Sequence, residues 1–233
     1  MSISSYARST LPDPTILIID DHDLVATSLA MSLRMAGLQA RRHAVRSREG
    51  VLAATAELPP GVVLLDVDLG FEPDGTLIDG IALIERLRAA GWRVLMLSGT
   101  SDEARIGKAL AAGALAGIPK SAALAVLVTA VRRAAQGLEV MHPERRRQFI
   151  EAYLRRQERG RVLGRRLASL TERERAVLDR LAKGQRAQSI ADEFVVSVTT
   201  VRTQIRAILG KLGVGSQLEA VVLLNEFQRA MDL

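Results

Sequence analysis

Ile16-Leu17-Ile18-Ile19 runs directly into Asp20-Asp21, and this form, a short apolar run closed by a polar residue, decides the fold. It returns as Val62-Val63-Leu64-Leu65 into Asp66 and as Val94-Leu95-Met96-Leu97 into Ser98, and Lys120 follows a weaker run from Ala114 to Ile118. Continuous apolar runs of this length predict strands covered on both faces. Between them lie segments with helical spacing. The first is Leu24 to Ala36, with Leu24, Val25, Leu29 and Leu33 as its apolar positions and Gly37 as its stop. Ser47 to Glu57, Gly80 to Ala90, Asp102 to Ala112 and Ala122 to Gln136 follow, with a further strand expected near Gln39 to Ala44. Strands alternating with helices make βαβ units, so the expectation is an α/β fold, a doubly wound parallel five-stranded sheet ending near Val140. Ligands of such sheets bind beyond the carboxyl ends of the strands. Asp20, Asp21, Asp66, Ser98 and Lys120 should therefore share one crevice.

At 233 residues, of which 48% are apolar, the chain is long enough for two ordinary domains with packed cores. It has no cysteine, which removes disulfides, thiolate catalysis and zinc ribbons and fits a reducing interior. His22, His43 and His142 are scattered without ligand spacing, which argues against zinc. No apolar stretch approaches the roughly 20 residues of a membrane-spanning helix. Residues 1–14, read as an N-terminal extension, carry no basic region followed by an apolar one. A cytoplasmic protein with no membrane partner is expected.

The net charge of +6 is uneven. Lys and Arg stand against Asp and Glu as 14 to 15 in residues 1–140, 9 to 3 in residues 141–167 and 9 to 8 in residues 168–233. The middle segment reads as an Arg-rich linker helix, with Pro143 in its first turn and Phe149, Ile150, Tyr153 and Leu154 on one side of Glu144 to Arg159. Gly160 and Gly164 leave its end open. Its charge suits either a solvated spacer or a nucleic-acid footprint.

Carboxylates at neighbouring strand ends repel one another unless a cation sits between them, and a hard divalent ion, most simply Mg²⁺, resolves the repulsion. A carboxylate beside such an ion can attack a phosphoryl group, while Lys120 and the Ser98 hydroxyl stabilise the equatorial oxygens of a loose transition state. One acidic pair near a strand end is a weak signal; an Asp pair, Asp, Ser and Lys in that order is a specific one.

The stretch from Ile16 to Gln136 resembles the receiver domain of two-component response regulators, through "ILIIDDHDLV", "VVLLDVDLG", "VLMLSGT" and "AGALAGIPKS". The resemblance implies a flavodoxin-like receiver over residues 15–140, with Asp66 as phosphoacceptor. It also implies a metal held by Asp20, Asp21, Asp66 and the backbone carbonyl of Asp68, with Ser98 as switch hydroxyl and Lys120 paired with the phosphate. Two departures stand out. In receivers the loop after the phosphoacceptor soon reaches a glycine; here that glycine is matched only by the later Asp79-Gly80, with extra residues from Gly70 to Ile78 lengthening the loop, which borders the site. Three residues before the lysine, where receivers usually place Tyr or Phe, stands Gly117. Asp66-Val67-Asp68 also suits the Asp-x-Asp motif of haloacid-dehalogenase-type phosphatases, but those carry it on the first strand and need a later acidic pair, whereas the pair here comes early.

Thr171-Glu172-Arg173-Glu174 is a capping box that opens an all-helical domain over residues 168–233. Its helices are expected at Glu172 to Ala182, Ala187 to Phe194, Ser197 to Leu212 and Ser216 to Phe227. The second and third form a helix-turn-helix with Ser197 as N-cap. On the third, Val201, Ile205, Ile208 and Leu212 should be buried, leaving Thr199, Arg202, Thr203 and Arg206 outward. The span from Leu170 to Leu224 resembles the LuxR-type helix-turn-helix, through "LTERERAVLDRLAKG", "SIADEF", "SVTTVRTQI" and "KLGV". With the receiver, it resembles response regulators of the NarL/FixJ class. That likeness implies that Arg202, Thr203 and Arg206 face base edges, with Ser197, Thr200, Gln204 and Lys211 nearer the phosphates. Gln204, Ala187 and Gln217 depart from the commoner histidine, asparagine and arginine. Leu218, Val221, Val222 and Leu224 on the last helix suit either dimerisation or ordinary core.

The resulting expectation is a transcriptional regulator, not an enzyme. It binds double-stranded DNA, accepts phosphate from a histidine kinase with Mg²⁺, and forms a homodimer through the DNA-binding domain and/or the receiver. The alternative is a regulator that binds DNA independently of phosphate or senses a small ligand through its receiver.

Overall fold

A computed structural model describes residues 14–99 and 102–231. The expected N-terminal extension, except residue 14, lies outside the described residues. The chain divides into two compact units, with the division between Ile150 and Glu151.

The first unit is built from β1 (Ile16–Asp20), α1 (Asp23–Met35), β2 (Ala40–Ala44), α2 (Arg48–Ala56), β3 (Val62–Asp66), β4 (Asp68–Phe71), β5 (Leu77–Asp79), α3 (Ile81–Ala89), β6 (Arg93–Ser98), α4 (Glu103–Ala111), β7 (Ala116–Pro119) and α5 (Leu124–Ala135). Five strands form a parallel sheet in the order β2-β1-β3-β6-β7. The apolar runs are continuous because alternate residues serve opposite cores. Leu17, Ile19, Val63, Leu65, Val94 and Met96 pack with Val51, Ile84, Leu87 and Ala109 on one face. Ile16, Ile18, Val62, Leu64, Leu95 and Leu97 meet Ala26, Ala30, Leu33, Leu127 and Val131 on the other. Each buried Leu or Ile contributes roughly 1.5 to 3 kcal/mol at most. The chain leaves β1 for β2 on one side and returns to β3 on the other, so the switch point of this sheet falls between the ends of β1 and β3.

Two expectations about this unit need correcting. On α1 the buried face is Ala26, Ala30 and Leu33, while Leu24 is 83% exposed and Val25 is exposed beside it. They line an open groove of about 390 Å³ together with Leu97, Ile118, Lys120 and Leu124. The extra residues after Asp66 are not an irregular loop. They form an antiparallel hairpin, β4–β5, in which Asp68 faces Asp79 and Phe71 faces Leu77. Glu72 Oε1 anchors it by accepting a hydrogen bond from the backbone N–H of Arg48 at 2.9 Å, at the start of α2.

Helix α6 runs from Pro143 to Ala168, beyond the expected Arg159. In the first unit Phe149 is buried, and the Arg146 guanidinium donates to the carbonyls of Leu110 and Ala114 at 2.7 and 2.8 Å. In the second unit Leu163 and Leu167 join the core. The two glycines do not end the helix because each permits a close approach. A Cβ on Gly160 would meet that of Ala230 at 2.8 Å, and one on Gly164 would meet Phe227 Cε2 at 2.9 Å.

The second unit continues with α7 (Glu172–Ala182), α8 (Ala187–Phe194), α9 (Val198–Leu212) and α10 (Gln217–Met231). The capping box is formed in both directions, with Thr171 Oγ1 accepting from the Glu174 N–H and Glu174 Oε2 from the Thr171 N–H. Val177, Leu178, Ile190, Val201, Ile208 and Leu224 form the centre of one core. Among the described residues, no single helix is long and apolar enough to cross a membrane.

Candidate functional site

The parallel register brings the expected side chains together at the carboxyl edge of the sheet. Asp20 ends β1, Asp66 ends β3 and Ser98 ends β6, with relative exposures of 1%, 2% and 3%. Lys120 follows β7, and its N–H donates to the Ser98 carbonyl at 2.8 Å, which fixes the lysine beside β6. Its Nζ donates to Asp66 Oδ2 at 2.5 Å. The same Nζ lies 2.9 Å from Asp20 Oδ2 without hydrogen-bond alignment, so that buried oxygen has a charge beside it and no hydrogen bond. Asp20 Oδ1 accepts from the His22 N–H at 2.9 Å, and Asp66 Oδ1 from the Asp68 N–H at 3.4 Å.

These contacts shift the titration of the pair. Burial pushes the Asp66 carboxyl above the usual carboxylate range, and the Asp20 charge adds to the rise against the pull of Lys120. For Lys120, burial disfavours the ammonium, but the hydrogen bond to Asp66 and the negative charges of Asp66 and Asp20 beside it outweigh that and hold its pKa above the ordinary value.

One donor atom from each of Asp20, Asp21, His22 and Asp66 falls within a set spanning no more than 4.8 Å. With the buried Asp20 Oδ2 lacking a hydrogen bond, this oxygen-rich set fits a hard divalent cation. His22, whose spacing from the other histidines spoke only against zinc, belongs to the cluster because its Nδ1 lies 2.6 Å from Asp21 Oδ1. The signal available was its place directly after the Asp pair. The Asp68 side chain turns away from the cluster to the Arg105 guanidinium of α4. Neither Arg105 nor Lys108, whose Nζ is 3.2 Å from Asp79 Oδ2, was singled out from the sequence.

Two glycines shape the pocket. A Cβ on Gly80 would fall 2.0 Å from the Asp66 carbonyl oxygen, so Asp79-Gly80 passes against the end of β3 as closely as only glycine permits. At Gly117 a Cβ would meet Ile106 Cγ2 and Met96 Cε, each at 3.1 Å, so neighbouring side chains already crowd the position where an aromatic was expected.

In the second unit, Ser197 Oγ caps α9 by accepting from the Thr200 N–H at 3.1 Å. Val201, Ile205, Ile208 and Leu212 are buried, and Thr199, Thr200, Arg202, Thr203 and Arg206 are exposed, as the 3.6-residue period requires. Thr203 Oγ1 donates back to the Thr199 carbonyl at 3.0 Å. Gln204 is half-buried, and its Oε1 has no partner. Lys211 Nζ is 2.6 Å from Glu174 Oε2, tying the end of α9 to the capping box of α7. Of the α6 arginines, Arg146 is committed to carbonyls, while Arg147, Arg155 and Arg161 form solvated pairs with glutamates of their own helix. On α10, Ala220, Leu223 and Leu224 are core, whereas Leu218 is 73% exposed with Val222 one turn further on and also exposed.

Residues 16–132 match the family model of the response regulator receiver domain, and residues 168–224 match that of the bacterial regulatory proteins of the luxR family. The chain belongs to the two-component response regulators that join a receiver to a LuxR-type DNA-binding domain, a family of transcription regulators. It is 34% identical over 215 residues to the transcriptional activator protein ExaE of Pseudomonas putida, spanning 91% of this chain and 95% of that one. To the transcriptional regulatory protein LiaR of Bacillus subtilis (strain 168) it is 29% identical over 219 residues, spanning 89% and 94%. Its fold is shared with the response regulator RcsB in a DNA complex, at a TM-score of 0.50 and 20% identity over 92% of this chain and 99% of that one.

Proposed function

We propose that this regulator is switched by phosphorylation of Asp66 and that its α9 reads DNA in the major groove. The observation that carries the reading is the buried Asp66 carboxylate, bonded to Lys120 and flanked by Asp20, at the switch point of a parallel sheet. A carboxylate oxygen of Asp66 attacks the phosphorus of a phosphohistidine or a small phosphodonor. The new acyl phosphate bond forms as the bond to the donor breaks, and the leaving group departs with its electron pair. Lys120 holds Asp66 in place and meets the charge on the phosphoryl oxygens, and the Ser98 hydroxyl supplies a donor at the neighbouring strand end. Asp20, Asp21, Asp66 and the Asp68 carbonyl are the groups that would hold Mg²⁺, which when bound neutralises the charge brought by the phosphoryl group.

On the DNA side, Arg202 and Arg206 stand one turn apart on the outward face of α9, suited to guanine edges, with Thr203 between them. Ser197, Thr199, Thr200, Gln204 and Lys211 complete the contact surface. Exposed Leu218 and Val222 of α10 support pairing of two DNA-binding domains, and hence an inverted-repeat site. The partners are then a histidine kinase, double-stranded DNA and a second copy of the chain, in the cytoplasm. The residues 15–140, 141–167 and 168–233 act as receiver, connecting helix and DNA-binding domain.

The test mixes the full chain with acetyl phosphate and Mg²⁺, follows intact mass, and takes the same sample to a DNA-binding assay. One phosphoryl group should be gained and DNA binding should tighten. Asp66→Asn should abolish both changes. Normal gain of phosphate by that variant overturns the assignment of the nucleophile, and DNA binding indifferent to phosphate overturns the switch.

A further inference from the structure

The hairpin inserted after Asp66 is gripped at its base by two bases of one helix. Asp68 and Asp79 face each other across β4 and β5. The Arg105 guanidinium takes both carboxylate oxygens of Asp68, and Lys108 Nζ reaches Asp79 Oδ2. Arg105 and Lys108 lie three residues apart, on one side of α4. The acid held by Arg105 is also linked to the phosphoacceptor, since the Asp68 N–H is the donor to Asp66 Oδ1.

We propose, resting on the phosphoacceptor reading of Asp66, that Arg105 is a second cation for the phosphoryl group: it holds Asp68 while Asp66 is free and exchanges Asp68 for phosphoryl oxygens once Asp66 is modified. Phosphorylation replaces one carboxylate charge by a group carrying about −1.5 to −2, on the side chain whose Oδ1 accepts from the Asp68 N–H. That group repels Asp68 and attracts a guanidinium, whose planar fork suits phosphate as well as it suits carboxylate. The pair to be exchanged is weak, because the Asp68 side chain is largely exposed. Exchange loosens one of the two grips that α4 has on the hairpin. Ile106, adjacent to Arg105, packs at Gly117 on β7, so a shift of α4 is felt where this chain has no aromatic to move.

The test reads the Arg105 Nε signal in the full chain labelled with ¹⁵N-arginine, assigned by its disappearance in Arg105→Lys. Acetyl phosphate and Mg²⁺ are added, and intact mass on the same sample gives the phosphorylated fraction. The signal should move in proportion to that fraction, and in Asp68→Asn it should be displaced before phosphate is added. A fully phosphorylated sample whose Arg105 signal stays in place overturns the inference and leaves the Asp66 reading intact. Absence of any mass gain overturns that reading, and the inference with it.

Discussion

In the first unit the proposed site is assembled from strand ends far apart in sequence, Asp20, Asp66, Ser98 and Lys120, whereas in the second the proposed DNA surface lies on the single helix α9, where Thr199, Arg202, Thr203 and Arg206 share the exposed face. The pocket therefore depends on sheet register and on close approaches between loops. The helix surface depends on one cap and one apolar stripe. Disturbing the backbone near the pocket should damage chemistry and stability together, while the outward face of α9 should be separable from stability.

Gly80 tests the first half of that contrast most severely. Gly80→Ala places a methyl group 2.0 Å from the Asp66 carbonyl, and overpacking of this kind costs about 1 to 3 kcal/mol or more. Urea unfolding of the first unit should shift, and phosphate gain at Asp66 should slow with it. A variant with wild-type stability and phosphorylation would break the claim that the pocket rests on this approach.

Arg202→Ala and Arg206→Ala test the second half. Each should weaken binding to the proper site by about 1 to 3 kcal/mol and relax preference at one or two base pairs, with little change in non-specific binding. The melting temperature should stay at the wild-type value, because both side chains are exposed. A fall in stability equal to the loss of affinity would erase the contrast.

The cap of α7 is a smaller effect with a pH signature. Thr171→Ala removes the side-chain acceptor of the Glu174 N–H and should cost about 1 kcal/mol of second-unit stability. Glu174 is held below the usual carboxylate range, first by Lys211 and then by the Thr171 N–H. Its folded-state pKa is depressed, so the stability it contributes is complete above the unfolded carboxyl value of about 4.3 and is lost as pH falls through the folded one. Lys211→Ala should therefore differ from wild type at neutral pH and converge with it in acid, followed by denaturant midpoint against pH. A constant difference at all pH values would sink the pairing.

The smallest effect is expected in the helix-turn-helix turn. Val195 is the one described non-glycine residue with positive φ, at 54°, a region costly for a β-branched side chain. Val195→Gly should stabilise the second unit by up to about 1 kcal/mol, the relief of strain being offset in part by glycine's extra freedom when unfolded. Destabilisation by this change would show that the exposed valine is held for another reason.

Much of the architecture was legible because its causes are local. The runs ending in Asp20, Asp66 and Ser98 mark three central strands, and the Thr171–Glu174 box, the Ser197 cap and the Gly37 stop mark helix ends that the structure keeps. The convergence of Asp20, Asp66, Ser98 and Lys120 was legible too, since a parallel sheet leaves its strand ends on one edge. What escaped were partnerships with remote residues. Leu24 and Val25 have the right spacing for a core face, but the small Ala26 and Ala30 let α1 sit close to the sheet with those larger side chains outside.

The sequence by itself determined the succession of the five sheet strands and the helices, the two domains and the residue types at the sheet edge and on α9, because strand runs, caps and helical periodicity act over a few neighbouring residues. Only the tertiary structure decided that the residues after Asp66 pair as a hairpin, that Arg105 and Lys108 grip it, that Arg146 is committed to the carbonyls of Leu110 and Ala114, and that Gly160 and Gly164 carry α6 past Ala230 and Phe227. A charge or a glycine reads the same in sequence whether it meets solvent or a partner. Which of these it meets depends on distances that folding sets across tens of residues.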